Sequence, residues 1–179
     1  MKDIARRRLI FSLPLITTLG AGTGFYVMLS RLRTGSFDPK EIKTPQISLP
    51  YFNLERVSPF PSFNRNELLR QTKPIVINFF ASWCVPCLTE MAILNQLSHK
   101  IDIWGIAYKE NSHAINEFFS RNDNPYKRIA QDTKGDAGIQ WGLTGVPESF
   151  LVLPKGIIIS HIPKPLSERD VETISNTIG

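Results

Sequence analysis

Cys84 and Cys87 are the only cysteines in the chain, and they stand three positions apart in Cys84-Val85-Pro86-Cys87. A pair this close cannot cross-link distant parts of a fold, so a disulfide scaffold is excluded and the pair is judged on its own chemistry. A β-type run, Ile75-Val76-Ile77-Asn78-Phe79-Phe80, precedes it, and Met91, Leu94, Leu97 and Ser98 repeat at helical spacing after it. Cys84 therefore falls at a strand-to-helix junction. Pro86 suits the first helical turn, where its missing N–H costs nothing. The free N–H groups and partial positive charge at that helix end stabilise a thiolate. The expected Cys84 thiol is more acidic than the free value of about 8.5, with Cys87 one turn further in and more buried. Cys84 would attack a partner's disulfide, forming a mixed disulfide that Cys87 resolves.

Other uses of two cysteines fit less well. A structural zinc site needs two more ligands, and His99, His113 and His161 lack the usual paired-histidine spacing. Attachment of c-type haem needs histidine after the second cysteine, where this chain has Leu88. A Cys–His hydrolase would have its nucleophile trapped as a disulfide by the second thiol. The peroxiredoxin pattern ending at Cys84 would need proline at 77 or 80, where Ile77 and Phe80 stand.

The elements that must position the pair alternate between strand and helix. Ile101 to Tyr108 reads as a second buried strand, and Asn111 or Ser112 as the cap of a helix with Ile115, Phe118 and Phe119 inward. Ser149 to Leu153 and Gly156 to Ile162 read as a hairpin turning at Pro154-Lys155-Gly156. Ser167 opens a last helix with Asp170 three residues on, and Val171, Ile174 and Ile178 form its inner stripe. This pattern predicts an α/β sandwich with a mixed central sheet.

The formal net charge of +5 resides in the N-terminal segment. Residues 1–33 hold Lys2, Arg6, Arg7, Arg8, Arg31 and Arg33 against Asp3, while residues 34–179 hold 15 basic and 15 acidic side chains. The domain has no basic surplus to support a nucleic-acid surface, and no nucleic-acid partner is expected. Leu9 to Ser30 carry no charge. As a helix they would span about 33 Å, enough for a bilayer core. The preceding arginines place that end in the cytoplasm and send the rest outward. A cleaved signal peptide with Leu9 to Leu19 as its apolar region is the alternative, and it exports the domain as well. The expected organisation is a cytoplasmic N-terminus (1–8), a transmembrane anchor (9–30), a proline-bearing tether (31–48) and a catalytic domain (49–179) in the periplasm of a bacterial inner membrane.

At "FFASWCVPC" the chain resembles the thioredoxin superfamily. The ordered segments "LPYFNLE" (49–55), "KPIVINFFASWCVPCLTEM" (73–91), "GIAYKE" (105–110) and "GLTGVPESFLV" (142–152) resemble one branch of it. That branch is the membrane-anchored thiol:disulfide interchange proteins of cytochrome c maturation. The resemblance implies a thioredoxin-like fold with an added strand and helix, about Ile101 to Arg121. It implies no cofactor beyond a redox-active Cys84–Cys87 disulfide. The implied activity is reduction of a disulfide in apocytochrome c or in a haem-handling partner, with electrons from a membrane thiol transporter. Pro147 matches the family's cis-proline beside the active site, where Val146 backbone can pair with substrate. Glu90 and Glu148 match its active-site carboxylates, Glu90 as a proton acceptor for Cys87, and Trp83 is expected over the thiol surface. Asn78 stands where thioredoxin has a buried acid, and an amide cannot act as base. The likeness departs at Thr144 and Leu153, where the family carries Tyr and Asp, which thins the acidic hydrogen-bonding surround. The same fold could instead serve another periplasmic client. A non-catalytic metal- or haem-binding module is the reading from a different class.

Overall fold

The computed structural model describes residues 47–178. The expected cytoplasmic N-terminus, transmembrane anchor and tether up to residue 46 lie outside the described residues. Ile47 and Ser48, expected as tether, already pair in the sheet.

The strands are β1 (Ile47–Ser48), β2 (Glu55–Arg56), β3 (Ile75–Phe80), β4 (Asp102–Tyr108), β5 (Arg128–Asp132), β6 (Glu148–Leu153) and β7 (Ile157–Ile162). The helices are α1 (Arg65–Arg70), α2 (Val85–Ser98), α3 (Ser112–Arg121), α4 (Asp136–Trp141) and α5 (Glu168–Ile178). The strands form one sheet in the order β1-β7-β6-β3-β4-β5-β2. β3, β4 and β5 run parallel, and the remaining pairs are antiparallel. The mixed sheet agrees with the expectation from sequence.

β3 is central and buried along its whole length, as its unbroken apolar run requires when helices cover both faces. Strand alternation sorts its side chains. Val76 and Phe80 enter the core shared with Cys87, Leu94, Leu97, Ile115 and Val171, contributed by α2, α3 and α5. Ile75, Ile77 and Phe79 enter the opposite core with Leu68, Ala137 and Trp141, contributed by α1 and α4. Asn78 alternates with Val76 and Phe80, so it points into the α2 side. Leu94 and Leu97 are fully buried there. Truncating either to Ala would cost about 2–5 kcal/mol.

Asn111 caps α3 as expected, and before α5 the Asp170 half of the expected Ser167 cap is present. The Asn111 side chain accepts from Ala114 N–H at 3.0 Å, and the Ser167 N–H donates to Asp170 Oδ2 at 2.9 Å. The β6–β7 turn places Lys155 and Gly156 at φ +67° and +75°. A Cβ on Gly156 would lie 2.8 Å from a Leu69 methyl, so both the turn and the packing require glycine there. β2, α1, β5 and α4 have no counterpart in the sequence reading. Each is short, and β5 ends in the polar pair Gln131-Asp132, whose side chains bond to Glu55 and to Gly138 N–H.

Candidate active site

The strand-to-helix junction carries the cysteines. Cys84 caps α2 from extended backbone, and its Sγ accepts from Cys87 N–H at 3.1 Å. The two cysteines form a disulfide. Cys87 is fully buried on the inner face of α2, whereas Cys84 keeps 5% of its surface in solvent. An incoming thiolate therefore reaches Cys84 first. On reduction, the Cys87 N–H and the helix end remain to stabilise a Cys84 thiolate.

The surround of Cys84 is apolar and open. Trp83 is 59% exposed, Val85 72% and Leu88 46%. Trp83 thus lies on the surface around the cysteine pair rather than in the core. On the other side, the Val146–Pro147 peptide bond is cis, and Val146 O lies 3.4 Å from Cys84 Sγ. The backbone before Pro147 is therefore brought directly against Cys84 Sγ.

Glu148 follows Pro147 and is buried on β6. Its Oε1 accepts from the Thr144 hydroxyl, from Thr144 N–H at 2.9 Å and from Gly145 N–H at 2.9 Å. Its Oε2 meets His161 Nε2 at 2.5 Å. Burial pushes the carboxyl pKa up, but the Thr144 hydroxyl, His161 and the two N–H groups outweigh it and hold it below the usual value of 4.5. A charged Glu148 ties down the loop that carries Val146. Thr144, one of the departures from the family pattern, supplies two of those donors.

Glu90 sits one turn beyond Cys87 on the same face of α2 and is 2% exposed. Leu166 N–H donates to its Oε2 at 2.8 Å, and Asn78 Nδ2 donates to its Oε1 at 3.0 Å. Burial raises its pKa from 4.5 to about 7, and these two hydrogen bonds offset only part of that rise. A carboxyl poised near neutrality can exchange a proton with a buried thiol.

Cys84, Cys87, Glu90, Trp83, Val146, Pro147 and Glu148, taken together from sequence, gather around the N-terminal end of α2 and the loop that enters β6. Tyr126, Ser149, His161 and the Leu166 N–H were not anticipated. None carries a local signal. His161 reaches Glu148 through the antiparallel β6–β7 register, which places it opposite Phe150. Among the described residues, no group of three or more His, Cys, Asp or Glu side chains is placed to hold a metal ion.

The redoxin family model matches residues 48–178. A thiol:disulfide interchange protein DsbE homolog of Paracoccus denitrificans (strain Pd 1222) is 35% identical over 105 residues, 59% of each chain. The thiol:disulfide interchange protein DsbE of Haemophilus influenzae (strain ATCC 51907 / DSM 11121 / KW20 / Rd) is 33% identical over 148 residues, 81% of each chain. Among solved structures, a Chlorobium tepidum protein described as a thiol:disulfide interchange protein DsbE superposes with a TM-score of 0.61. The match covers 74% of this chain and 94% of that one at 20% identity, so it bears on the fold, which is thioredoxin-like. With a redoxin domain and a disulfide-forming cysteine pair at the head of a helix, the chain belongs to the redoxin family and, within it, to the DsbE-type thiol:disulfide interchange proteins, and it is a thiol:disulfide oxidoreductase.

Proposed function

We propose that the protein is a membrane-tethered, periplasm-facing reductant that opens a disulfide in apocytochrome c, or in a haem-handling partner, before haem is attached. The observation that carries the exchange chemistry is the asymmetry of the pair: Cys84 meets solvent and Cys87 does not. Reduced Cys84 attacks a client disulfide as thiolate. One client sulfur bonds to Cys84 and the other leaves as thiolate. Glu90 takes the Cys87 proton, and the resulting thiolate attacks Cys84 Sγ. The Cys84–Cys87 disulfide forms, and the client's second sulfur leaves as thiolate. Two electrons pass to the client, whose two cysteines end reduced. Trp83, Val85 and Leu88 offer apolar contact to the client, and the Val146–Pro147 turn shapes the groove beside Cys84, with Glu148 bracing it.

The membrane reading rests on the arginine triplet ahead of the uncharged run from Leu9 to Ser30. An exported dithiol would stay oxidised unless supplied with electrons, and an anchor brings the domain near a membrane thiol transporter. The reduction potential of Cys84–Cys87 in the full chain, equilibrated in thiol redox buffers, tests the direction. A value near that of thioredoxin, about −270 mV, is expected. A value near about −120 mV, that of a strong disulfide-forming oxidant, would replace the reductant reading with an oxidant one. For the client, a Cys84→Ser strain should lose c-type cytochromes selectively. Loss of a different exported protein would assign the same chemistry to another client.

A further inference from the structure

A buried polar chain runs between the sheet and the inner face of α2. Asn78 is fully buried, between Val76 and Phe80 on its side of β3. Tyr126 OH donates to Asn78 Oδ1 at 2.6 Å. Asn78 Nδ2 in turn donates to Glu90 Oε1 and to Ser149 Oγ, each at 3.0 Å. The Ser149 and Tyr126 hydroxyls can each accept or donate, so neither decides which end of the amide faces Glu90. The ionised Glu90 carboxylate does, because it only accepts and so draws Nδ2. Tyr126, donating to Oδ1, leaves both Nδ2 protons for Glu90 and Ser149.

The chain has a prepared seat. Gly105 stands opposite Asn78 in the parallel β3–β4 register. A Cβ at Gly105 would lie 2.9 Å from Tyr126 Cγ and 2.9 Å from Phe80 Cε1. The Tyr126 ring stacks on Phe80 with centroids 4.8 Å apart. The missing side chain in the middle of a buried strand is what lets the phenol reach Asn78. Burial, with the Glu90 charge second, pushes the Tyr126 phenol pKa well above its usual value, so it remains a donor.

We propose that Tyr126 and Asn78 are positioning residues for the resolving half of the exchange. Tyr126 anchors the Asn78 amide by donating to Oδ1, in the orientation whose Nδ2 meets a charged Glu90, and Asn78 holds the Glu90 carboxylate where it takes the Cys87 proton. This rests on Glu90 being the proton acceptor. The groups that meet Glu90 are few. Asn78 comes from β3 and the Leu166 N–H from the segment before α5, Tyr126 acts on it electrostatically, and on its own helix Cys87 lies one turn back. Among the described residues no cationic side chain pairs with it.

The test uses the reduced full chain and excess dithiobis(nitrobenzoate), an aromatic disulfide whose leaving thiolate is coloured. The first release reports attack by Cys84. The second, independent of reagent concentration, reports closure by Cys87. Tyr126→Phe, which keeps the stack on Phe80, should slow the second release relative to the first by about fivefold near neutrality, the worth of one buried hydrogen bond. It should also move the pH midpoint of that release upward, because the charged carboxylate loses a fixed donor. Asn78→Ala should slow it at least as much, and adding Tyr126→Phe to that variant should change nothing more. Glu90→Gln should slow the second release about a hundredfold. In that background Tyr126→Phe should again add nothing. A parental rate and midpoint in Tyr126→Phe, or a further slowing on top of Glu90→Gln, would overturn the positioning role while leaving Glu90 in place. An unchanged second release in Glu90→Gln would remove Glu90 as acceptor, and the positioning role with it.

Discussion

Glu90 and Glu148 are both carboxylates shut away from water beside the same disulfide, and the protein drives their acidities in opposite directions. Glu90 lies under α2 with two hydrogen-bond donors, and burial raises its pKa to about 7. Glu148 shares the other face of the sheet with Phe150 and takes four contacts from Thr144, Gly145 and His161, which hold its pKa below 4.5. Deeper burial of Glu90 and the larger number of donors around Glu148 together separate them. One acid is left able to trade a proton; the other is kept charged and serves as a brace. The two faces of the sheet thus divide proton handling from loop positioning.

The contrast is broken most severely at Glu90. Replacing it by Gln should lower the closing step about a hundredfold while the first attack by Cys84 persists, read as a mixed disulfide that accumulates with a client peptide. Stability should move the other way. Because the folded pKa of about 7 exceeds the ordinary 4.5, native protein holds the proton more tightly. Stability from this group is therefore full below 4.5 and is lost as pH rises through about 7. At 1.36 kcal/mol per pH unit the loss approaches about 3 kcal/mol, and Glu90→Gln should recover it in denaturant melts at pH 8.

Glu148→Gln should do the reverse. It should cost about 2 kcal/mol of stability near neutrality by weakening charge-assisted hydrogen bonds. The closing step, once a client is bound, should change far less than in Glu90→Gln. With its pKa depressed, the wild-type Glu148 contribution is present above 4.5 and is lost as pH falls through the folded value. The variant's melts should therefore converge with wild type under acid. A variant whose deficit persisted there would show that shape, not charge, braces the loop. The smallest effect is expected for Thr144→Val, about 1 kcal/mol, since it removes the hydroxyl donor and leaves the Thr144 N–H.

Glu90 was named through the family resemblance, and its relation to Cys87 is local: three residues along one helix fix a shared face. Cys84 at the cap and Pro86 in the first turn are local in the same way. α1 was equally legible in principle, since Asn64 and Glu67 form a capping box, yet its six residues are too few for apolar periodicity to show. Tyr126 had no such signal. It lies 48 residues from Asn78, and a tyrosine among polar residues reads as a surface ring until Gly105 is seen opposite Asn78. His161 likewise has no partner until the β6–β7 register supplies Glu148.

By itself the sequence determined the thiol chemistry: two cysteines at the head of a helix and a buried strand to carry them. These follow from spacing, because helical and strand periods turn neighbours in the chain into neighbours in space. Only the tertiary structure decided which acid holds a proton near neutrality. A pKa depends on burial and on donors counted in three dimensions, and those donors come from β3, from the loop before β6, from β7 and from the segment before α5. No spacing along the chain encodes that count.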